Sequence, residues 1–254
     1  MEFILFGVAL LATTIGAMSG MGGGIIIKPV MDAISGMDVT VINFMSSCTV
    51  LAMAMMSMYR GRKDEIEVHM PTCISLALGA CIGGVVGKLI FDLIPENQAY
   101  IQSIILLWLN IFIYIYTKFK SRIKTLHVKN YVLSAMIGCA LGAMSAFLGI
   151  GGGPINIAVL YFFFSTASKV TVRMSIFVIL LSQISNLITV FLSGVPSGVN
   201  YFALVLMIVG GCSGAVLGGT ISKKLTEIQI DDFFTDVVVA IIILNAYNVG
   251  VLGG

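Results

Sequence analysis

The chain has 254 residues, 58% of them hydrophobic and 10% charged, with a formal net charge of +2. A mean hydropathy of +1.06 excludes a soluble globular domain and defines a polytopic membrane protein. The near-zero charge argues against nucleic acid as a partner, and no stretch between apolar segments is long enough to fold alone as a catalytic or regulatory domain.

In chain order, the first apolar segment covers 3–19. No basic region precedes it, so it is expected to be retained in the membrane and not cleaved as a signal. It runs into Gly16-Ala17-Met18-Ser19-Gly20-Met21-Gly22-Gly23-Gly24. Three adjacent glycines cost about 1 kcal/mol each in a helix interior relative to alanine. In lipid the opened backbone costs more, because no water satisfies the freed amides and carbonyls. A shorter apolar piece (25–37) follows, then three segments over 39–59, 70–91 and 99–117. Each has roughly the 20 residues that cross a hydrocarbon core.

The most basic stretch of the chain, with Lys118, Lys120, Arg122, Lys124 and Lys129, separates this half from a second with the same series. An apolar segment (131–147) reaches Gly149-Ile150-Gly151-Gly152-Gly153-Pro154-Ile155-Asn156, then come a short piece (154–167) and spans over 170–192, 200–221 and 233–252. The glycine runs are offset by 129 residues (151 − 22), and a second match, Gly79-Ala80-Cys81 with Gly210-Gly211-Cys212, by 131 (210 − 79). A near-constant offset means an internal duplication. The expected organisation is an all-α membrane protein with repeat 1 over 1–118, a basic cytoplasmic linker over 119–129 and repeat 2 over 130–254.

If the first segment of each half crosses the membrane, the halves are parallel. If it dips in and returns at the glycines, each half has three crossings and the halves are inverted. The second arrangement gathers Arg60, Arg62, Lys63, the linker, Lys169, Arg173, Lys223 and Lys224 on one face. The other keeps loops 92–98 and 193–199, which lack Lys and Arg, and Lys28. The positive-inside rule favours that arrangement, in a cell membrane with the basic loops cytoplasmic and both termini outside. Against it, segment 3–19 would be about 26 Å long as a helix and nearly spans.

Duplicated helix breaks at matching places point to a transporter with its site between repeats. After each break a half-helix begins whose first-turn amides lack partners and whose dipole is positive there. That chemistry suits an anion against the side-chain-free backbone of Gly22, Gly23, Gly24, Gly151, Gly152 and Gly153; the bland alternative is close helix packing. Ser19, Ser145 and Asn156 flank the breaks and either donate to an oxyanion or bond to local backbone. Asn43, Ser46, Ser47 and Thr49, with Arg173, Ser175, Ser182, Gln183, Ser185 and Asn186 in the second half, are either interhelical glue or a lining. Lys28 either neutralises the anion or snorkels to an interface, and Arg173 reads first as a cytoplasmic-face anchor. The ladders Gly79/Gly83/Gly87 and Gly210/Gly214/Gly218, with Cys81 and Cys212 beside them, read as tight helix packing. No HExxH, GxSxG or P-loop motif is present, so an enzyme is not expected, and no cluster of acids or histidines lies deep in a span.

The core Gly20 to Pro29, its repeat Gly149 to Pro154 and the span end Tyr59-Arg60-Gly61 resemble the sulfite exporter TauE/SafE family over essentially the whole chain. The resemblance implies a secondary carrier of a sulfur-containing anion (sulfite, a sulfonate such as sulfoacetate, or thiosulfate) with no prosthetic group. Two departures are Lys28, where the family is usually apolar, and Val41-Ile42-Asn43 at the next span's start. The expected partners are a small anion, the lipid bilayer and a co-transported H⁺ or Na⁺. A passive anion channel and a carrier of non-sulfur organic anions stand as alternatives.

Overall fold

The structure is a computed structural model that describes residues 2–62, 69–93, 98–120 and 123–252. The described residues form ten helices and no strand: α1 (Glu2–Ser19), α2 (Gly24–Ile34), α3 (Val39–Gly61), α4 (Met70–Asp92), α5 (Gln98–Phe119), α6 (Tyr131–Leu148), α7 (Pro154–Phe164), α8 (Ser168–Ser193), α9 (Tyr201–Ser222) and α10 (Glu227–Leu252). Eight are long and apolar enough to cross a membrane. The other two, α2 and α7, have 11 residues each and are about 16 Å long. Lys63 and Arg122, counted among the basic loop residues, lie outside the described residues.

Local chemistry sets the ends. Asn130 caps α6 by accepting from the amides of Val132 (2.9 Å) and Leu133 (3.3 Å), Asn200 caps α9 and Asp38 caps α3. Helix α10 begins at Glu227, six residues before the expected 233 (233 − 227). Thr226 and Gln229 form a reciprocal box there, each side chain accepting from the other's amide, which starts a helix ahead of the apolar run.

The helix ends gather on two faces. On one, Glu2 accepts a hydrogen bond from Asn200 (3.3 Å), and Thr40, Lys88, Phe91, Ser193, Gly194 and Pro196 surround a common cavity. On the other, Arg60, Lys169, Arg173, Ser222 and Lys223 surround a second cavity, and Lys120 pairs with Asp231 (2.5 Å), which also accepts from Ser168 (2.8 Å). The chain reverses after α1: any side chain at Gly16 would strike the backbone of Gly22 and Gly23, and one at Gly23 would strike Thr13. It reverses again after α6. The end of α7 accepts from the residues just before α6, with Leu126 N donating to Phe162 O (2.9 Å) and Val128 N to Phe163 O (2.8 Å).

The two halves pack crosswise. Gly79, Gly83 and Gly87 of α4 lie on the backbone of Ala135, Cys139 and Ala143 of α6. Gly210, Gly214 and Gly218 of α9 lie on the backbone of Phe6, Leu10 and Thr14 of α1. The partners are offset by 129 residues (135 − 6, 143 − 14), so one interface repeats the other. Small residues let backbones approach where lipid supplies no hydrophobic drive. Cys81 and Cys212, beside the ladders in sequence, face other helices and donate to the carbonyls of Leu181 in α8 (3.4 Å) and Ala52 in α3 (3.9 Å), again 129 apart (181 − 52).

Candidate transport site

The glycine turns meet at the centre of the bundle. A Cβ on Gly22 would lie 3.3 Å from Ile179 and 3.6 Å from the Gly151 carbonyl, and one on Gly24 would overlap the Ile150 carbonyl. Val50, touching both turns, is the middle residue of α3, and Ile179 lies near the middle of α8. Gly20 (φ 73°), Gly22 (74°), Gly149 (66°), Gly151 (67°), Gly152 (131°) and Gly153 (127°) adopt conformations that side chains rarely tolerate. Gly149 ends α6 with a left-handed cap, and the Ile150 amide returns to the Ser145 carbonyl (3.3 Å). Pro154 opens α7 at the position where a missing amide costs nothing.

The flanking residues divide. The Ser19 hydroxyl donates to its own helix at Ile15 O (2.8 Å). Ser145 Oγ, Asn156 Oδ1, Asn43 Oδ1, Ser46 Oγ and Gln183 Oε1 are buried without a partner. Asn186 donates to Ser47 across α3 and α8 (3.1 Å), an interhelical bond, while Thr49 bonds within its own helix. Lys28 is fully buried and pairs with Asp32 at 3.3 Å. It therefore does not snorkel to an interface, and it lines none of the three cavities that flank the turns.

Those cavities are lined by none of Gly22, Gly23, Gly24, Gly151, Gly152 and Gly153; the two turns are packed against each other, Gly22 and Gly24 on the carbonyls of Gly151 and Ile150. The cavity on the basic face has a volume of 440 Å³, with Arg60, Lys169, Arg173 and Lys223 among its lining residues and Ala17, Val172, Ile176 and Ala215 as an apolar floor. No acid lines it. Arg173 lies over Gly61, where a side chain would strike the guanidinium. The cavity on the opposite face has 60 Å³ and is lined by Asn43, Phe44, Ser47, Ala146, Gly149, Asn186 and others. The two correspond position by position: Asn43 with Val172, Phe44 with Arg173, Ser47 with Ile176, Ser57 with Asn186 and Ala17 with Ala146, each 129 apart, and Lys88 with Gly219, 131 apart. A third space of 20 Å³ lies beside Ser19, Tyr161 and Asp231. The sequence reading placed Arg173 at the membrane surface. What it lacked was the neighbourhood, since four cations from α3, α8 and the end of α9 converge only in three dimensions.

An all-helical bundle with eight apolar helices of spanning length is a multi-pass membrane protein. The chain belongs to the sulfite exporter TauE/SafE family, whose profile matches residues 5–245. It is similar to the probable membrane transporter protein YunE of Bacillus subtilis (strain 168), with 24% identity over 255 residues, 89% of this chain and 90% of that one. No solved structure matches the chain.

Proposed function

We propose that the protein is a secondary transporter of a small anion, a sulfur oxyanion or organosulfonate, working by alternating access between two inverted repeats. The observation that carries this reading is the pair of corresponding cavities, one of 440 Å³ and one of 60 Å³, on opposite faces of the central glycine contact. In an inverted duplication the halves exchange conformations, so one cavity opens as its counterpart closes. The common position of both ends of α1–α2 on one face, and of α6–α7 on the other, supports two re-entrant hairpins. The basic face is then cytoplasmic, and the protein stands open to the cytoplasm.

The four cations at the wide mouth concentrate anions, and the apolar floor favours one with a short organic part. The anion reaches the level of the glycine turns, where Ser145 Oγ is buried without a partner and the side-chain amides of Asn156 and Asn43 lie beside Gly152 and Gly149. The hydroxyl and both amides are able to donate. Moving one charge across 100 mV is worth about 2.3 kcal/mol, so an uncompensated monoanion leaves an inside-negative cell, and uptake needs a cation in company.

The test is counterflow in proteoliposomes with labelled sulfite and sulfoacetate. A carrier accelerates label exchange when unlabelled anion is present on the far side, and Arg173→Gln lowers that exchange. Flux without trans-stimulation would make the protein a pore, and full exchange in Arg173→Gln would remove the basic cavity from the pathway.

A further inference from the structure

Lys28 and Asp32 stand one turn apart on α2, with Nζ 3.3 Å from Oδ2 and side chains 0% and 5% exposed. Among the described residues Lys28 is the one charged residue in the fully buried class. Two other ion pairs, Lys88–Asp92 and Lys120–Asp231, have side chains 19–42% and 22–35% exposed. A buried pair loses the hydration of both ions and gains little over an apolar replacement. Its place on a lipid-embedded half-helix therefore calls for a use.

The surroundings isolate it. Helix α2 packs on α1, α3 and α10. The titratable residues of α1 and α3 are Glu2, bonded to Asn200, Cys48, Tyr59, and Arg60 at the basic cavity. Those of α10 are Glu227, Asp231, Asp232 and Asp236 near its start and Tyr247, which is 60% exposed. None forms an ion pair with Lys28 or Asp32. Asn248 of α10 donates to the Pro29 carbonyl between them in sequence (2.9 Å), and Asn245 is wholly buried with an unpartnered Oδ1. Helix α2 starts at Gly24, on the glycine contact itself.

We propose that Lys28 and Asp32 are the coupling-ion site, and that the coupling ion is a proton and not sodium. This rests on the transporter reading above. A sodium ion bound to the Asp32 carboxylate would have to occupy the space that the resident ammonium fills and would be repelled by it. A proton needs no such space: it adds to Asp32 Oδ, converting carboxylate to carboxylic acid, and the pair goes from net zero to net +1. That charge lies one turn from the glycine contact. It offsets the −1 of a monoanion there, so anion and proton cross together without net charge. The bias that expels a lone anion from an inside-negative cell is thereby removed.

The experiment has two arms. In lipid nanodiscs, infrared difference spectra between acidic and mildly alkaline buffer report the protonated-carboxyl stretch. The wild-type band is expected to contain a component that is missing from Lys28→Met/Asp32→Asn, whose other carboxyls still contribute; the double variant leaves no unpaired buried charge and so keeps the fold. In proteoliposomes loaded with a pH dye, wild-type sulfoacetate counterflow is expected to proceed equally in sodium and choline buffers. A sulfoacetate gradient is expected to carry protons, and the double variant to lose the proton signal. Identical infrared spectra for wild type and double variant, a requirement for sodium, or anion flux with no proton movement would each overturn the assignment. An absence of any wild-type counterflow would instead strike the transporter reading, and with it the coupling role, while the infrared arm still decides whether Asp32 titrates.

Discussion

The hydroxyl of Ser175 donates to the carbonyl of Gly20 at 2.6 Å, tying α8 of the second half to the glycine turn of the first. Its counterpart Ser46, 129 residues earlier, is equally buried but has no partner. The two turns are thus held differently, and their backbones also part: Gly20 and Gly22 match Gly149 and Gly151, but Gly23 is helical (φ −71°) where Gly152 has φ 131°. The bond lies beside Val172 and two residues from Arg173, so it joins the lining of the open cavity to the break in the helix.

Replacing Ser175 by Ala leaves a buried carbonyl unsatisfied and should cost about 1–3 kcal/mol, seen as a lowered thermal midpoint in detergent. Ser46→Ala removes a hydroxyl that bonds to nothing and should leave the midpoint unchanged. Equal effects of the two variants would mean that the asymmetry does not exist in solution.

Gly83→Ala and Gly214→Ala place a methyl against the carbonyls of Cys139 and Leu10. At Gly83 the methyl meets only backbone, and at Gly214 it meets the Thr13 hydroxyl as well as the Leu10 carbonyl, so rotating Thr13 would not relieve the backbone clash. Each variant should destabilise by about 1–3 kcal/mol or more, with lower yield of monodisperse protein on size-exclusion chromatography. Gly219→Ala, in the same helix as Gly214 but with nothing within 4 Å of the new methyl, should behave as wild type.

The unequal cavities predict unequal labelling. In a cysteine-free background, Gly219→Cys on the lining of the 440 Å³ cavity should react quickly with a water-soluble thiol reagent. Ser47→Cys at the 60 Å³ cavity, where Ser47 is 2% exposed, should react slowly. The reverse order would mean that the protein rests open to the other face.

Asp38 accepts from the hydroxyl and the amide of Thr40 (2.6 and 2.8 Å), and these bonds hold its carboxyl below the ordinary value of 3.8. A depressed carboxylate contributes stability that is complete above the ordinary value and is lost as pH falls through the lowered one. Asp38→Asn should therefore lower the thermal midpoint near neutrality and flatten the fall on acidification, the two proteins converging as pH drops through the lowered value, as followed by thermal unfolding across pH.

Much of the architecture was legible from the chain. The glycine runs, the 129-residue offset and the apolar lengths located the helices, because helix-breaking residues are too costly in lipid to occur without a use. The ladders read as seams, and Gly83 and Gly214 fill them. Two things were out of reach. Thr226-Glu227-Ile228-Gln229 is a capping box in a polar stretch, and a search for apolar runs passes over it. The basic cavity depends on α3, α8 and α9 bringing Arg60, Arg173 and Lys223 together, which sequence spacing does not encode. The Lys28–Asp32 pair was visible as an i,i+4 spacing but went unread, since attention fell on the lysine alone.

The crosswise seams bear on how the chain is made. Helix α1 leaves the ribosome well before α9, yet the groove that receives it lies on α9, built from residues 201–222. Until then its small-residue flank faces lipid or an insertase, and α4 waits in the same way for α6. Assembly is therefore post-insertional: a nascent chain halted at the linker holds five helices but neither seam, and it is the natural substrate for membrane quality control.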